Sequence, residues 1–285
     1  MKKTVTLIIH GHRRLSNKTL ETIAFLEDDP AIVLHKKRTK STGDAAEIAR
    51  RAMFKSNVII AVGGDGTCNE VINGMMVAPN PNVVFGVIPN GTGNDFARNF
   101  EPFDPRKFVT SIVEDTTQLI DLGKINFKKG SRYFLNVADI GFGAKVIETM
   151  NRQRSAGIGG KFSYNTAIVR SFFSYRKPVI SVDNDDVHFK GKALMIVFSN
   201  GKSFGHGLKV YPEAKLDNGK LGLAVIGNVS LFEYARNLKN LKQGRKIVHP
   251  EVKYHEFEKI SVHTEDANLC VETDGEIAGR SSITV

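Results

Sequence analysis

Asn57-Val58-Ile59-Ile60-Ala61-Val62 is a nearly unbroken apolar run that ends in Gly63-Gly64-Asp65-Gly66-Thr67. A strand without alternation has no face to give to water, so the run predicts a strand inside a parallel sheet covered by helices on both sides. The surrounding texture agrees. Residues 4–9 are β-branched and apolar, 19–27 read as helix, 31–35 as a short extended piece, and 42–54 as a helix with capping residues. Glu70–Val77 reads as the next helix, Val83–Ile88 as the next strand, and a further helix follows Asp104-Pro105. The first ~120 residues are therefore expected to be doubly wound α/β. After Asp121 the pattern shifts to closely spaced strands, at 133–138, 179–182, 193–199, 221–226, 259–263, 269–272 and 282–285. Turn signals separate them, among them Asp183–Asp186 and Asp217–Lys220, and helices interrupt at 144–175 and 230–243. The expected fold class is α/β plus β: an α/β domain over 1–122, then an antiparallel β-sandwich or barrel over 123–285. No internal repeat or low-complexity tract is visible.

The 285 residues carry a formal charge of +10, which favours an anionic partner: nucleotide phosphate, acidic lipid or nucleic acid. A solvated basic surface explains the same number. The bases come in short clusters such as Lys36-Lys37-Arg38, with no basic arm, tryptophan is absent, and many phenylalanines sit in apolar runs. A single-strand groove needs stacking aromatics, so nucleic acid is not expected as a partner. Cys68 and Cys270 lie far apart without metal-type spacing, as in a reducing compartment. No stretch of eighteen apolar residues occurs, and the first apolar run stops at His10. A cytoplasmic protein is expected.

Glycines at a strand-to-helix turn let backbone N–H groups approach phosphate, and the helix N-terminus adds partial positive charge. Gly63–Thr67 sits at such a turn, yet it is neither Gly-x-Gly-x-x-Gly nor a P-loop. Asp65 is the telling residue. A carboxylate among phosphate-binding amides repels phosphate unless it handles Mg²⁺ or a proton; the alternative is that it caps the helix. A second loop, Pro89-Asn90-Gly91-Thr92-Gly93-Asn94-Asp95-Phe96-Ala97-Arg98, follows the next strand. Loops after parallel strands emerge at one sheet edge, so both loops are expected to face one ligand. A tight turn with Asn94 or Asp95 as a helix cap is the plain alternative.

Gly-Gly-Asp-Gly-Thr-x-Asn-Glu-Val at 63–71 together with Pro-x-Gly-Thr-x-Asn-Asp-Phe-Ala-Arg at 89–98 resembles the bacterial diacylglycerol kinase-like lipid kinases. The likeness continues through Asp121-Leu122-Gly123, Ile140-Gly141-Phe142, Tyr211–Leu216, His249-Pro250 and Asp274-Gly275-Glu276. It implies an α/β nucleotide domain, a β-sandwich domain and an active site in the cleft. It implies ATP held by Gly63, Gly64, Asp65, Gly66, Thr67, Asn69 and Glu70, by Gly91 and Thr92, and by Thr39. Asp65 and Glu276 are the implied catalytic residues, with Glu276 as general base toward a lipid hydroxyl and Mg²⁺ offsetting phosphate charge. The implied product is of the phosphatidic-acid type, from diacylglycerol or a related lipid. Read from its residues alone, Asp274-Gly275-Glu276 is an ordinary hairpin turn.

Two places depart from the family. His10-Gly11-His12-Arg13-Arg14 replaces the usual Asn-Pro-x-Ser-Gly, leaving Arg13 and Arg14 as candidate phosphate contacts. In the turn Lys215–Lys220 the family holds a structural Mg²⁺ with a carboxylate just before the glycine and with flanking carbonyls; here Asn218 stands there and the acid is Asp217, so Lys215, Asp217, Asn218 and Lys220 form a weakened metal candidate. Arg152, Arg154, Lys161, Arg170, Arg176 and Lys177 flank Ile158, Phe162, Ile168, Val169, Phe172, Phe173 and Tyr175. This stripe suits either an anionic membrane at the inner surface or the protein's own core, and Gly157-x-Gly159-Gly160 before it reads as a hinge or a loop. Two other functions stay open: an NAD kinase, which shares the first motif, and a nucleotide-binding protein without turnover. An edge strand of the sandwich would permit a homodimer.

Overall fold

The computed structural model describes residues 2–157 and 163–285, and the chain divides into two units at Ile120–Asp121. The first unit runs β1 (Lys3–Ile9), α1 (Asn17–Asp28), β2 (Ile32–Arg38), α2 (Asp44–Ala52), β3 (Val58–Gly63), α3 (Asp65–Met75), β4 (Val84–Pro89) and α4 (Pro105–Val113). Its sheet has the order β2-β1-β3-β4, every pair parallel. The central strands are buried on both faces, with Leu7, Ile8 and Ile59 to Val62 wholly inaccessible, because α1 and α4 pack together on one side and α2 and α3 on the other. Helix starts follow local chemistry. Ser16 Oγ accepts the Thr19 N–H at 3.2 Å and Asp104 Oδ1 accepts the Lys107 N–H at 2.9 Å. α2 and α3 approach closely at Gly74, where a Cβ would stand 2.1 Å from the Ala46 carbonyl oxygen.

α3 begins at Asp65, five residues before the helix read from the sequence. Gly66 costs such a helix about 1 kcal/mol relative to alanine. The buried residues Thr67, Cys68, Val71, Ile72 and Met75 set the axis, so burial outweighs that propensity and the glycine motif becomes the first helical turn.

The second unit contains β5 (Gly123–Asn126), β6 (Ser131–Phe134), β7 (Val137–Gly141), α5 (Phe142–Ser155), α6 (Ser163–Ser174), β8 (Val179–Asp183), β9 (His188–Lys192), β10 (Met195–Ser199), β11 (Leu221–Ile226), α7 (Leu231–Lys242), β12 (Val252–Phe257), β13 (Ser261–Thr264), β14 (Cys270–Thr273), β15 (Glu276–Arg280) and β16 (Ile283–Thr284). Two antiparallel six-stranded sheets result, β12-β11-β10-β7-β14-β15 and β6-β5-β16-β13-β8-β9. Phe134, Ile140, Ile180, Val182, Ile196, Phe198, Val262 and Val271 fill the space between them, the core of a sandwich. The outer face of the first sheet is covered too. Val137, Met195, Val197 and Ile226 pack under Phe142, Val146, Ala167 and Tyr234 of α5, α6 and α7. α7 opens with a capping box between Ser230 and Glu233.

The extended segment expected at 133–138 is two strands in different sheets, β6 and β7, because the chain crosses between sheets at Leu135-Asn136. β5, β9, β12 and β15 lie outside the strands expected from sequence. Ile158, Gly159, Gly160, Lys161 and Phe162 of the basic-aromatic stripe lie outside the described residues. The rest of the stripe splits by face: Ile168, Phe172 and Tyr175 pack on the core, while Val169 and Phe173 are 54% and 86% exposed. Among the described residues no helix is long and apolar enough to cross a membrane.

Candidate functional site

In a parallel sheet the loops after every strand leave at the same edge. Here they are residues 10–16 after β1, 39–43 after β2, Gly64 after β3 and 90–96 after β4. The last two touch backbone to backbone. A Cβ on Gly91 would lie 2.4 Å from Gly64 Cα, and the Asn90 N–H donates to the Gly63 carbonyl at 2.8 Å. The two glycine loops are thus one surface, as their place after neighbouring parallel strands implies, and only glycine at 91 permits it. Thr67 packs against Gly63, whose added Cβ would stand 2.5 Å from Thr67 Oγ1.

Asp65 does not cap α3; Gly64 holds that position without a side-chain bond. Asp65 Oδ1 accepts the Phe96 N–H at 3.0 Å, and its Oδ2 would be 3.1 Å from a Cβ on Gly93. Asp95 Oδ2 would be 3.3 Å from the same point, so two carboxylates border the space that a side chain at position 93 would fill. Arg98 balances one of them, 3.3 Å from Asp95 Oδ1, and its Nε donates to the Gly93 carbonyl at 3.2 Å. Phe96, and neither Asn94 nor Asp95, holds the N-cap position of the turn at Ala97–Asn99. Asn94 instead adopts φ 51° and closes its own loop, its Oδ1 accepting the Gly91 N–H at 2.7 Å. Asp95 belongs with Asp65 at this edge, and only the NDFAR motif hinted at it.

The altered loop after β1 is tied to the same surface. Arg13 Nη1 donates to Thr92 Oγ1 at 3.2 Å, placing a guanidinium at the second glycine loop. Asn90 clamps the loop: its Oδ1 accepts from Ser16 N–H at 2.9 Å and Thr19 Oγ1 at 3.0 Å, and its Nδ2 donates to the Arg14 carbonyl. Gly11 is required where it stands, since a Cβ would meet the Thr39 carbonyl oxygen at 1.9 Å, and its N–H donates to Thr39 Oγ1. Burial and the charges of Arg13 and His12 lower the His10 pKa, leaving a neutral imidazole at pH 7. Arg14 is exposed. Glu70 turns away from ligand chemistry: its oxygens accept the Gly43 and Ala45 N–H groups at 3.0 and 3.3 Å, anchoring the start of α2 to α3. Asn69 is fully buried within α3 and has no surface to offer a ligand.

In the second unit Glu276 is exposed at the head of β15. The turn before it is held from below. Asp274, at φ 49°, accepts three backbone N–H groups, from Leu135 at 2.8 Å, Asn136 at 2.9 Å and Val137 at 3.1 Å. Gly275, at φ 87°, donates its N–H to Glu272 Oε2 at 2.7 Å. Positive φ at both residues explains the Asp-Gly pair, which this turn shape favours. The Asp274-Gly275 pair is the hairpin turn between β14 and β15, as its residues suggest, and it is anchored by these four hydrogen bonds to its surroundings.

The turn Lys215–Lys220 is closed by Asp121, whose Oδ2 accepts the Gly219 N–H at 2.7 Å. Asn218 Oδ1 accepts the Lys220 N–H, and Lys215, Asp217, Asn218 and Lys220 are all exposed. Asp121 spends one oxygen on the Gly219 N–H, which leaves the exposed turn with the Asp217 carboxylate, the neutral amide of Asn218 and the backbone carbonyls of Lys215 and Lys220 beside two ammonium groups, a donor set that fits a resident divalent cation poorly. Among the described residues no three His, Cys, Asp or Glu side chains gather to hold a metal.

The diacylglycerol kinase catalytic domain matches residues 4–125, and the YegS C-terminal NAD kinase beta sandwich-like domain matches 136–285. A diacylglycerol kinase of Staphylococcus saprophyticus is 32% identical over 286 residues, spanning 98% of this chain and 91% of its own. One of Staphylococcus haemolyticus is 34% identical over 85% of this chain and 72% of its own. The crystal structure of a diacylglycerol kinase from Bacillus anthracis shares the fold, with a TM-score of 0.69 at 21% identity over 99% of this chain and 93% of that one. A parallel α/β unit followed by an antiparallel sandwich, matching a kinase catalytic domain and an NAD kinase beta sandwich-like domain, places the chain in the NAD kinase-like fold class. Within that class, the chain belongs to the diacylglycerol kinase family.

Proposed function

We propose that this protein transfers the γ-phosphoryl group of ATP to the hydroxyl of a lipid, diacylglycerol or a close relative, giving a phosphatidic-acid-type product. The observation that carries the reading is the joining of Gly64 and Gly91 into one backbone surface with Asp65 and Asp95 turned to Gly93. Backbone N–H groups at the start of α3 suit phosphate oxygens. Two carboxylates beside them suit a nucleotide that arrives with Mg²⁺, the cation being part of the substrate. Gly63, Gly64, Gly66, Thr67, Gly91 and Thr92 form the proposed nucleotide surface, Arg13 adds charge at Thr92, and Thr39 and Glu70 fix the neighbouring loop. Glu276 is the proposed base. It takes the proton of the lipid hydroxyl as the oxygen–phosphorus bond forms and ADP departs. The Lys215–Lys220 turn is given no step.

The exposed Val169 and Phe173, with Arg170 and Arg176 beside them, are proposed to meet an anionic membrane at its cytoplasmic face. The test is phosphate transfer from γ-labelled ATP with Mg²⁺ to a panel of lipids in mixed micelles, with NAD as a rival acceptor. Labelled phosphatidic acid or another labelled lipid is expected. Label in NADP would replace the reading with NAD kinase, and ATP binding without transfer to any acceptor would favour a binding protein.

A further inference from the structure

Asp139 on β7 and Glu272 on β14 face each other as register partners in adjacent antiparallel strands. They are 0% and 3% exposed. Two acids this deep cannot both ionise without an uncompensated pair of like charges. The bonds around them specify where a proton is needed. Asp139 Oδ1 accepts the Ala144 N–H at the start of α5 at 3.0 Å, and Asp139 Oδ2 has no N–H or hydroxyl donor of its own. Glu272 Oε2 accepts the Gly275 N–H at 2.7 Å. One proton on the other Glu272 oxygen completes a chain from Ala144 N–H to the Asp139 carboxylate, through the Glu272 acid, to Gly275 N–H. Gly143 makes room for it, since a Cβ there would stand 2.0 Å from Asp139 Oδ2.

We propose that Asp139 and Glu272, joined by one shared proton, are a positioning pair that sets the Asp274-Gly275-Glu276 turn and through it the carboxylate of Glu276. The proposal rests on Glu276 acting as the base. Asp274 fixes one side of the turn through the 135–137 backbone, and the pair fixes the other through Gly275, linking the turn to the N-terminus of α5. The titratable groups facing the pair are Asp274 of the turn and Tyr175 after α6, and neither supplies positive charge. Burial, offset by the bond from Glu272, raises Asp139 to about 6; burial and then the charge of Asp139 push Glu272 well above the ordinary carboxylate range. Folded-state values raised above the unfolded ones mean that the pair's contribution is full below about pH 4. It is lost as pH rises through about 6 for Asp139 and then through the higher value of Glu272.

Two variants test this. E272Q keeps both links without a titrating proton, since the amide donates to Asp139 and accepts from Gly275. D139N/E272M removes the buried charge and the acceptor for Gly275 together. For E272Q, kcat is expected within about threefold of the parent, and the fall in Tm between about pH 6 and pH 9 should be visibly shallower. For D139N/E272M, a folded protein is expected with kcat lowered about tenfold or more and KM for MgATP changed less than about twofold. A folded D139N/E272M with parental kcat overturns the proposal, as does E272Q losing as much activity as the double variant. If the double variant does not fold, E272Q decides: an unchanged Tm–pH profile overturns the proposal and a flattened one supports it. E276Q assayed alongside separates the two readings, since parental activity there removes the base while the Tm–pH comparison still judges the pair.

Discussion

Arg13 shows how much one side chain can change the reading of a loop. The small phosphate-cradling residues usual after the first strand are missing, yet the guanidinium lies 3.2 Å from Thr92 on the opposite loop. Charge-assisted bonds of this kind are worth roughly 1.5–3 kcal/mol. R13A is therefore expected to raise KM for MgATP about tenfold or more with kcat within about twofold, measured by steady-state kinetics at saturating lipid. Asp65 is different, since it both holds Phe96 and stands with Asp95 at the nucleotide edge. D65N should lower kcat by about two orders of magnitude and weaken MgATP binding by calorimetry. A variant altering neither removes Asp65 from the site. Asp65 was legible because a carboxylate among phosphate-binding glycines has to be explained. Asn90, Asp95 and Glu272 were not, because their partners, Ser16, Asp65 and Gly275 among them, are made by loop folding rather than by spacing. Glu70 and Asn69 share a motif with the proposed nucleotide contacts, and sequence alone does not distinguish a residue facing a ligand from one bracing the loop.

Elements with continuous or strictly alternating apolar residues were read correctly because burial writes itself into the pattern. β3 and β10 are buried at every position. β9, β12 and β15 went unread for the opposite reason: each is a sheet edge, where exposed positions carry His188, Lys190, Lys192, Lys253 and Arg280. Polar residues there discourage edge-to-edge pairing and erase the strand signal. β5 is a four-residue strand, and its polar alternate positions, Lys124 and Asn126, give too little pattern to register. The sandwich core itself is dense. Phe198 is fully buried between the sheets, with its ring 5.9 Å from that of Phe257. F198A should destabilise the second unit by about 3–5 kcal/mol, seen as a lower urea midpoint. A shift under about 1 kcal/mol would mean that the two sheets do not pack through this residue.

At the scale of the whole molecule, a charge of +10 and an exposed aromatic on α6 point the same way. Attraction of basic groups to anionic lipid is worth about 1 kcal/mol per residue near the surface and is screened by salt. Sedimentation with phosphatidylglycerol vesicles should bind the protein at low salt and release it as salt rises, and F173E should weaken binding about fivefold or more. Equal binding to neutral vesicles, or no effect of F173E, would count against this face. The charge and the stripe were visible in the sequence. Which residues of the stripe serve the core was not, because Phe172 and Phe173 differ only in the direction the helix turns them.

The central claim is that Glu276 removes the proton from a lipid hydroxyl during phosphoryl transfer from ATP, and one substitution addresses it directly. Glu276→Gln keeps the size of the side chain and the Asp274-Gly275 turn but abolishes the base. Measured under single-turnover conditions with the best lipid acceptor, the rate should fall about a hundredfold or more while MgATP affinity stays within about twofold. A parental rate would contradict the account. So would a rate that falls only in proportion to lost nucleotide binding, because Glu276 would then serve the nucleotide and not the acceptor.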